Sequence, residues 1–331
     1  MVSAWSIVGI VLLGACFAAA AGADPLPIID MHLHALAADD QGPPPVVICA
    51  PYESMPARAP GTSIEEYAQS FLKTTNCAHP IWSAKDNDTL REESLAALQR
   101  YNIVAVTSGE PELVHKWHSA DPKRIIPAIL FGIRDAPSIA SLRAMYKSGM
   151  LKVMGEIVAQ YEGLGPNDSR LEPYWKLAEE LDIPVGIHIG PGPPGAAYLG
   201  MPKYRARLSD PLLLEDVLVR HPRLRLYVMH AGWPMIDRMI ALLYAHPQVY
   251  VDLAVIDYTQ PRAEFHRYLQ RLFEAGYGKR VMFGSDQMVW PEAIGFAIDG
   301  IQSAAFLTQE QKRDILHDNA ARFLRLGEPP G

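Results

Sequence analysis

Clusters of positive charge are missing from this 331-residue chain: its 30 Lys and Arg lie scattered among 37 Asp and Glu, for a formal net charge of −7. Nothing in that distribution would neutralise a row of phosphates, which excludes nucleic acid as an expected partner. Cysteine is scarce, with three residues in all, whereas a closed structural zinc site is usually cysteine-rich. Internal repeats and low-complexity tracts are absent. So is the imbalance of a disordered chain, since 49% of residues are hydrophobic and 20% charged, an ordinary globular profile.

One long apolar run is present, Ile7 to Ala21, and Ala21-Gly22-Ala23 follows it ahead of Asp24-Pro25. Small residues at that spacing mark a cleavage site, so residues 1–23 read as a secretory signal peptide and residues 24–331 as the mature domain. No Lys or Arg precedes the run, which leaves only the amino terminus to supply positive charge. Two other readings stay open. An uncleaved anchor is one, because roughly 17 to 20 apolar residues just span a bilayer. A lipoprotein site at Leu13-Gly14-Ala15-Cys16 is the other. Cleavage implies a periplasmic or secreted protein with no stable membrane span. Cys49 and Cys77 then remain, either as a disulfide closing about 27 intervening residues in an oxidising compartment, or as two separate buried thiols.

Beyond the leader, short β-branched runs alternate with amphipathic stretches. Strands are expected at 27–30, 103–106, 125–130, 151–154, 183–188, 224–230, 249–253 and 280–284. Helices are expected at 89–100, 171–181 (with Tyr174, Leu177, Ala178 and Leu181 as its buried stripe), 234–244, 262–275 and 291–305, and a closing helix at 309–326. Eight strands, most followed by a helix, predict an α/β fold: a (β/α)₈ TIM barrel with parallel strands and right-handed crossovers. Its main irregularity is a Pro- and Gly-rich excursion after strand 1, from Ala35 to Lys85, which carries both remaining cysteines.

His32 and His34 stand two apart at the end of the first strand, so both imidazoles point to one face. His188 ends the fifth strand, His230 the sixth, and Asp286 lies just past the eighth. In a barrel the carboxyl ends of all strands share one face, where active sites sit. Imidazole and carboxylate ligands suit Zn²⁺ or another divalent ion. Glu156 ends the fourth strand on the same mouth, placed either to bridge two ions or to orient a ligand or substrate. Asp30 reads as a support one layer below His32, and Lys152 as a structural charge. His115, His118, His221, His246, His266 and His317 fall away from the strand ends. His79, in the excursion, reads as packing locally or else as lining the mouth, and Asn319 as bonding locally to backbone in the closing helix. Lys203, Tyr204, Arg205 and Arg207 read as a solvated basic face, or else as a receptor for a substrate carboxylate.

From Pro27 to Leu326 the chain resembles the amidohydrolase superfamily, in its amidohydrolase-2 branch of hydrolases and decarboxylases. The likeness rests on Ile29-Asp30-Met31-His32-Leu33-His34, Gly186-Ile187-His188-Ile189-Gly190, Met229-His230-Ala231-Gly232-Trp233-Pro234, Phe283-Gly284-Ser285-Asp286 and Asn319-Ala320-Ala321-Arg322-Phe323-Leu324. It implies that His32, His34, His188 and Asp286 bind the metal. His230 becomes the catalytic histidine with one ion, or a ligand to a second. The expected activity is hydrolysis of an ester, lactone or amide of a small molecule, with Asp286 and His230 catalytic. Non-oxidative decarboxylation of an unsaturated or aromatic acid is the alternative. A non-catalytic binder of metal or solute is the third reading, and homo-oligomerisation stays open.

Overall fold

The computed structural model describes Met1, residues 26–74 and residues 77–326, so the leader expected over 1–23 lies, beyond Met1, outside the described residues. Among the described residues no helix is long and apolar enough to cross a membrane.

The strands are β1 (Ile28–Ala35), β2 (Val47–Cys49), β3 (Pro80–Trp82), β4 (Ile103–Gly109), β5 (Ile125–Phe131), β6 (Val153–Ile157), β7 (Val185–His188), β8 (Leu226–Met229), β9 (Tyr250–Asp252) and β10 (Val281–Met282). Omitting β2 and β3, which pair with each other, the other eight form one sheet in chain order. Each pairs in parallel with the next. Single backbone bonds bring the last strand to the first: Met31 donates to the Phe283 carbonyl at 2.9 Å, and Asp286 to that of His32 at 2.6 Å. This is the expected (β/α)₈ barrel.

Two apolar clusters hold it. Ile29, Met31, Val106, Val153, Tyr227 and Met282, from five strands, touch one another in the smaller cluster, which residues so far apart in the sheet can do only inside the barrel. Phe323, from the final helical turn Asn319–Leu324, seals that cluster. The larger cluster lies between sheet and helices, where Trp117, Trp175, Leu242 and Phe265 are buried.

Among the described residues five helices lie outside the expected set: Ile64–Leu72 in the excursion, Pro111–Ala120, Ile139–Lys147, and the short Glu215–Arg220 and Ile256–Thr259. The stripe of Glu172–Leu181 centres on Trp175, Leu177 and Ala178, with Tyr174 and Leu181 half-buried at its margins. The closing helix is not continuous. A π-helical turn at Asp314–Asp318 separates Gln309–Arg313 from Asn319–Leu324, and there the Ile315 carbonyl accepts from Phe283 N–H at 2.9 Å. Asn319 does not bond within the closing helix as expected; it donates across to the carbonyls of Gly278 and Val281, tying that helix to the start of β10.

The excursion is ordered by three devices. A Ser63–Glu66 capping box starts its helix, Ile64–Leu72. The β2–β3 hairpin and a Cys49–Cys77 disulfide, with Cα atoms 6.1 Å apart, fold it back on itself. Trp290 Nε1 and Tyr52 N–H then tie it to the loops after β10 and β9, through the carbonyls of Val46 and Thr259. Cys77→Ser is expected to destabilise this element by about 3 to 4 kcal/mol, the loop-closure entropy of a ring this long. Denaturant titration of wild type and variant checks it; coincident curves would mean that the two thiols do not pair.

Candidate metal centre

The register of β1 shifts between Asp30 and Leu33. That irregularity interrupts simple alternation: Ile29 and Met31 stay in the central cluster, yet His32 and His34 beyond them both reach the barrel mouth. Their rings lie 5.0 Å apart. Glu156 arrives from β6, His188 from β7, His230 from the turn after β8 and Asp286 from the turn after β10. Tight backbone approach makes room for them. A Cβ on Gly155 would stand 2.8 Å from the Gly186 backbone, and one on Gly284 would stand 2.8 Å from Cβ of His32.

Glu156 occupies the middle. Its Oε2 lies 3.5 Å from His32 Nε2 and 3.4 Å from His34 Nε2. Its Oε1 lies 2.6 Å from His188 Nδ1 and 3.5 Å from His230 Nε2. Asp286 Oδ1 stands 3.0 Å from His34 Nε2 and 3.9 Å from His32 Nε2. All the residues expected at the mouth are therefore brought together. One detail differs from the expected four-ligand set: His188 joins through Glu156 and through His230, 2.9 Å away, rather than through Asp286.

The neighbours fix the rings. His32 Nδ1 is 3.1 Å from Asp252, and His230 Nδ1 is 2.9 Å from the Ala254 carbonyl. A carbonyl only accepts, so Nδ1 of His230 carries the proton and Nε2 faces the cluster. Ser108 Oγ meets His34 Nδ1 at 3.0 Å, while Gln287 bonds both backbone groups of His34. Asp30 is the support expected of it, accepting from the N–H groups of His32 and Ser285. His230 and Asp286 both have left-handed backbones, φ 59° and 46°. Such strain in non-glycine residues persists where surrounding contacts over-determine it, commonly at functional sites.

Burial opposes ionisation of Glu156, but the charge of His32 and hydrogen bonds from His188 and His230 override it and hold the carboxyl well below its ordinary range. Asp286 is held low in the same way, against burial, by His32 and His34. Burial alone would lower the His34 imidazole; hydrogen bonds to Asp286 and Glu156 carry it instead up to about 9. His188 runs the other way, lowered by burial and by His230.

Sequence reasoning missed Asp252, Ser108, Gln287 and Tyr161, whose ring lies 4.8 Å from that of His188. Asp252 had a signal, a carboxylate closing a barrel strand just as Asp286 follows one. His118, His266 and His317 bond backbone carbonyls and His221 sits between Glu172 and Glu179, away from the mouth as expected. His79 packs not locally but on Phe296 of the barrel helix Ala293–Gln302, because the hairpin carries the excursion back onto it. Lys152, Lys203, Arg205 and Arg207 are exposed. Tyr204 departs from that face, half-buried and accepting from Gly192 N–H at 2.9 Å.

The donor set fits a divalent cation. Three overlapping groups, His32–His230–Asp286, His32–His34–Glu156 and Glu156–His188–His230, each bring their ligand atoms within 4.8 Å of one another. Buried Nε2 atoms of His32 and His188 have no hydrogen-bond partner, a state that costs free energy unless a ligand completes it.

Imidazoles and carboxylates converging on the mouth of a (β/α)₈ barrel define a metal-dependent enzyme of the TIM-barrel class. The family model described as Amidohydrolase (Amidohydro_2) matches residues 29–326, and the chain belongs to that family. No curated protein matches it significantly. Solved structures share the fold at low identity. A probable 2-pyrone-4,6-dicarboxylic acid hydrolase from Acinetobacter baumannii is 13% identical, with TM-score 0.56 over 91% of this chain and 100% of that one. A 5-carboxyvanillate decarboxylase from Sphingomonas paucimobilis is 16% identical, with TM-score 0.52 over 70% and 82%. A second, from Novosphingobium aromaticivorans and complexed with manganese, is 14% identical, with TM-score 0.54 over 72% and 80%.

Proposed function

We propose that the protein is a hydrolase that adds water across an ester, lactone or amide bond of a small molecule, with Zn²⁺ as its ion. The observation that carries this reading is the meeting of Asp286 and His230 with His32, their ligand atoms within 4.8 Å, beside a cavity whose wall includes Asp286. A carboxylate held ionised and an imidazole with one nitrogen already committed are a base and an acid on one reacting centre.

His32, His34, His188 and Asp286 would hold the ion, with Glu156 and His230 placed for a second one. When bound, the ion supplies Lewis-acid polarisation of the substrate carbonyl. Asp286 takes the proton of the attacking water. His230, its Nδ1–H held by the Ala254 carbonyl and its imidazole raised toward the doubly protonated form, would present Nε2–H to the oxygen that gains charge and give that proton to the leaving group, the proton that Asp286 took from water then restoring it. Asp252 keeps His32 and His230 in register by bonding the ring of one and the backbone N–H of the other.

The fold likeness to decarboxylases supports a second reading, loss of CO₂ from an unsaturated or aromatic acid on the same centre. Protein reconstituted with Zn²⁺ or Mn²⁺ is tested by titrating acid released from lactones, esters and amides, and by measuring CO₂ from aromatic acids. Acid release without CO₂ is expected. CO₂ without acid release assigns the lyase chemistry, and metal binding with no turnover of either set returns the protein to the binders.

A further inference from the structure

The cavity above the centre, about 490 Å³, reaches Glu156, His188 and Asp286 at its floor. Its described lining contains no Lys or Arg. Apart from the histidines, its charged groups are Asp40, Glu156 and Asp286, all anionic when ionised. Ile48, Tyr52, Phe71 and Leu72 of the excursion line it together with Trp233 and Trp290 of the barrel loops.

The cations near in sequence lie outside the lining: Lys203, two residues from Met201, is exposed, and Arg58, three from Met55, donates to the Thr62 carbonyl. Lys73, next to Leu72, donates to the carbonyls of Pro43 and Pro45. Arg205, beyond the Gly/Pro loop, is exposed and donates to the carbonyls of Pro202 and Tyr204. The polar groups left on the wall are neutral. Thr259 donates to the Val255 carbonyl, and Gln260 is buried with its Oε1 unpartnered.

A carboxylate seated in this upper chamber would lose its hydration without gaining a cation, and would face carboxylates at close range. An aryl or branched alkyl group gains there by leaving water.

We infer that the substrate is acidic or electrophilic at the metal end alone, and is otherwise an uncharged, apolar body selected by the disulfide-stapled excursion. This deepens the functional reading above and rests on it only in placing the ion at the cavity floor.

Two ligands with the same ring and the same first carboxylate separate the cases: 4-tert-butylbenzoate and terephthalate. Calorimetric titration of the full-length protein loaded with Zn²⁺ or Mn²⁺ is expected to show the first binding at least about tenfold more tightly, because the second buries an unpaired charge. Met55, a lining residue at the exposed rim, supplies a variant that spares the fold. Met55→Arg is expected to narrow or reverse the preference. Equal or tighter binding of terephthalate by the wild type overturns the inference, as does failure of both ligands to bind, or a Met55→Arg variant whose preference is unmoved. The hydrolase reading fails separately, by absence of acid release, because these ligands are bound and not turned over.

Discussion

Asp286→Asn is expected to lower kcat for ester or lactone hydrolysis by about 10² to 10⁴, the usual contribution of a general base. The substitution keeps the size of the side chain and removes only its ability to take a proton. Its position is secured by backbone contacts that the change leaves intact: Asp286 N–H donates to the His32 carbonyl, and Tyr258 hydroxyl donates to the Asp286 carbonyl at 2.9 Å. Metal content should be measured alongside, because Asp286 is also a candidate ligand. With metal retained, the loss should fall on kcat and leave KM close to the wild-type value. Hydrolysis undiminished in a metal-replete variant would remove Asp286 from the mechanism.

Thermal stability is expected to change with pH in opposite senses without and with the ion. Without it, the cluster is held by protonated imidazoles lying between carboxylates. His34 is raised from an ordinary 6.5 to about 9. Its contribution, on the order of 3 kcal/mol for a shift of that size, is complete below pH 6.5 and is lost as the pH climbs through 9. His230 is raised too, against burial, by its hydrogen bond to Glu156. Glu156 and Asp286, both lowered, contribute above the ordinary carboxylate range and lose that contribution as the pH falls through their native values. Chelated protein should therefore melt at lower temperature at pH 9 than at pH 6.5. A divalent ion needs neutral imidazoles, so its stabilisation grows over the same interval. Melting curves in chelator and in excess Zn²⁺, taken from pH 6 to 9, should diverge. Parallel curves would mean that ion and protons do not compete for this cluster.

Much of the barrel was legible because its strands are short apolar runs, and five of them, β1, β6, β7, β8 and β10, contain or lead directly into an expected site residue. Ile28-Ile29-Asp30-Met31-His32-Leu33-His34 shows both the strand and its ligands. The helices at Pro111–Ala120 and Ile139–Lys147 do carry apolar stripes at helical spacing, Leu113, Val114 and Trp117 in one and Ile139, Leu142 and Met145 in the other, but each stripe spans only about two turns, too short to stand out from the flanking loops. The disulfide was open for a different reason. Cysteine spacing says how long a loop would be, whereas pairing depends on a separation set by the β2–β3 hairpin.

Composition and pattern, read alone, determined a parallel eight-stranded barrel and placed His32, His34, His188, His230 and Asp286 at one end of it, because alternation and strand order are properties of the chain itself. Tertiary structure decided the rest. It put Glu156 within reach of four imidazoles, oriented the His32 and His230 rings through Asp252 and Ala254, and laid a largely apolar wall without Lys or Arg over the mouth. Those outcomes depend on distances between segments as much as 253 positions apart, as in the Gln287–His34 pair, and such distances exist only once the barrel closes.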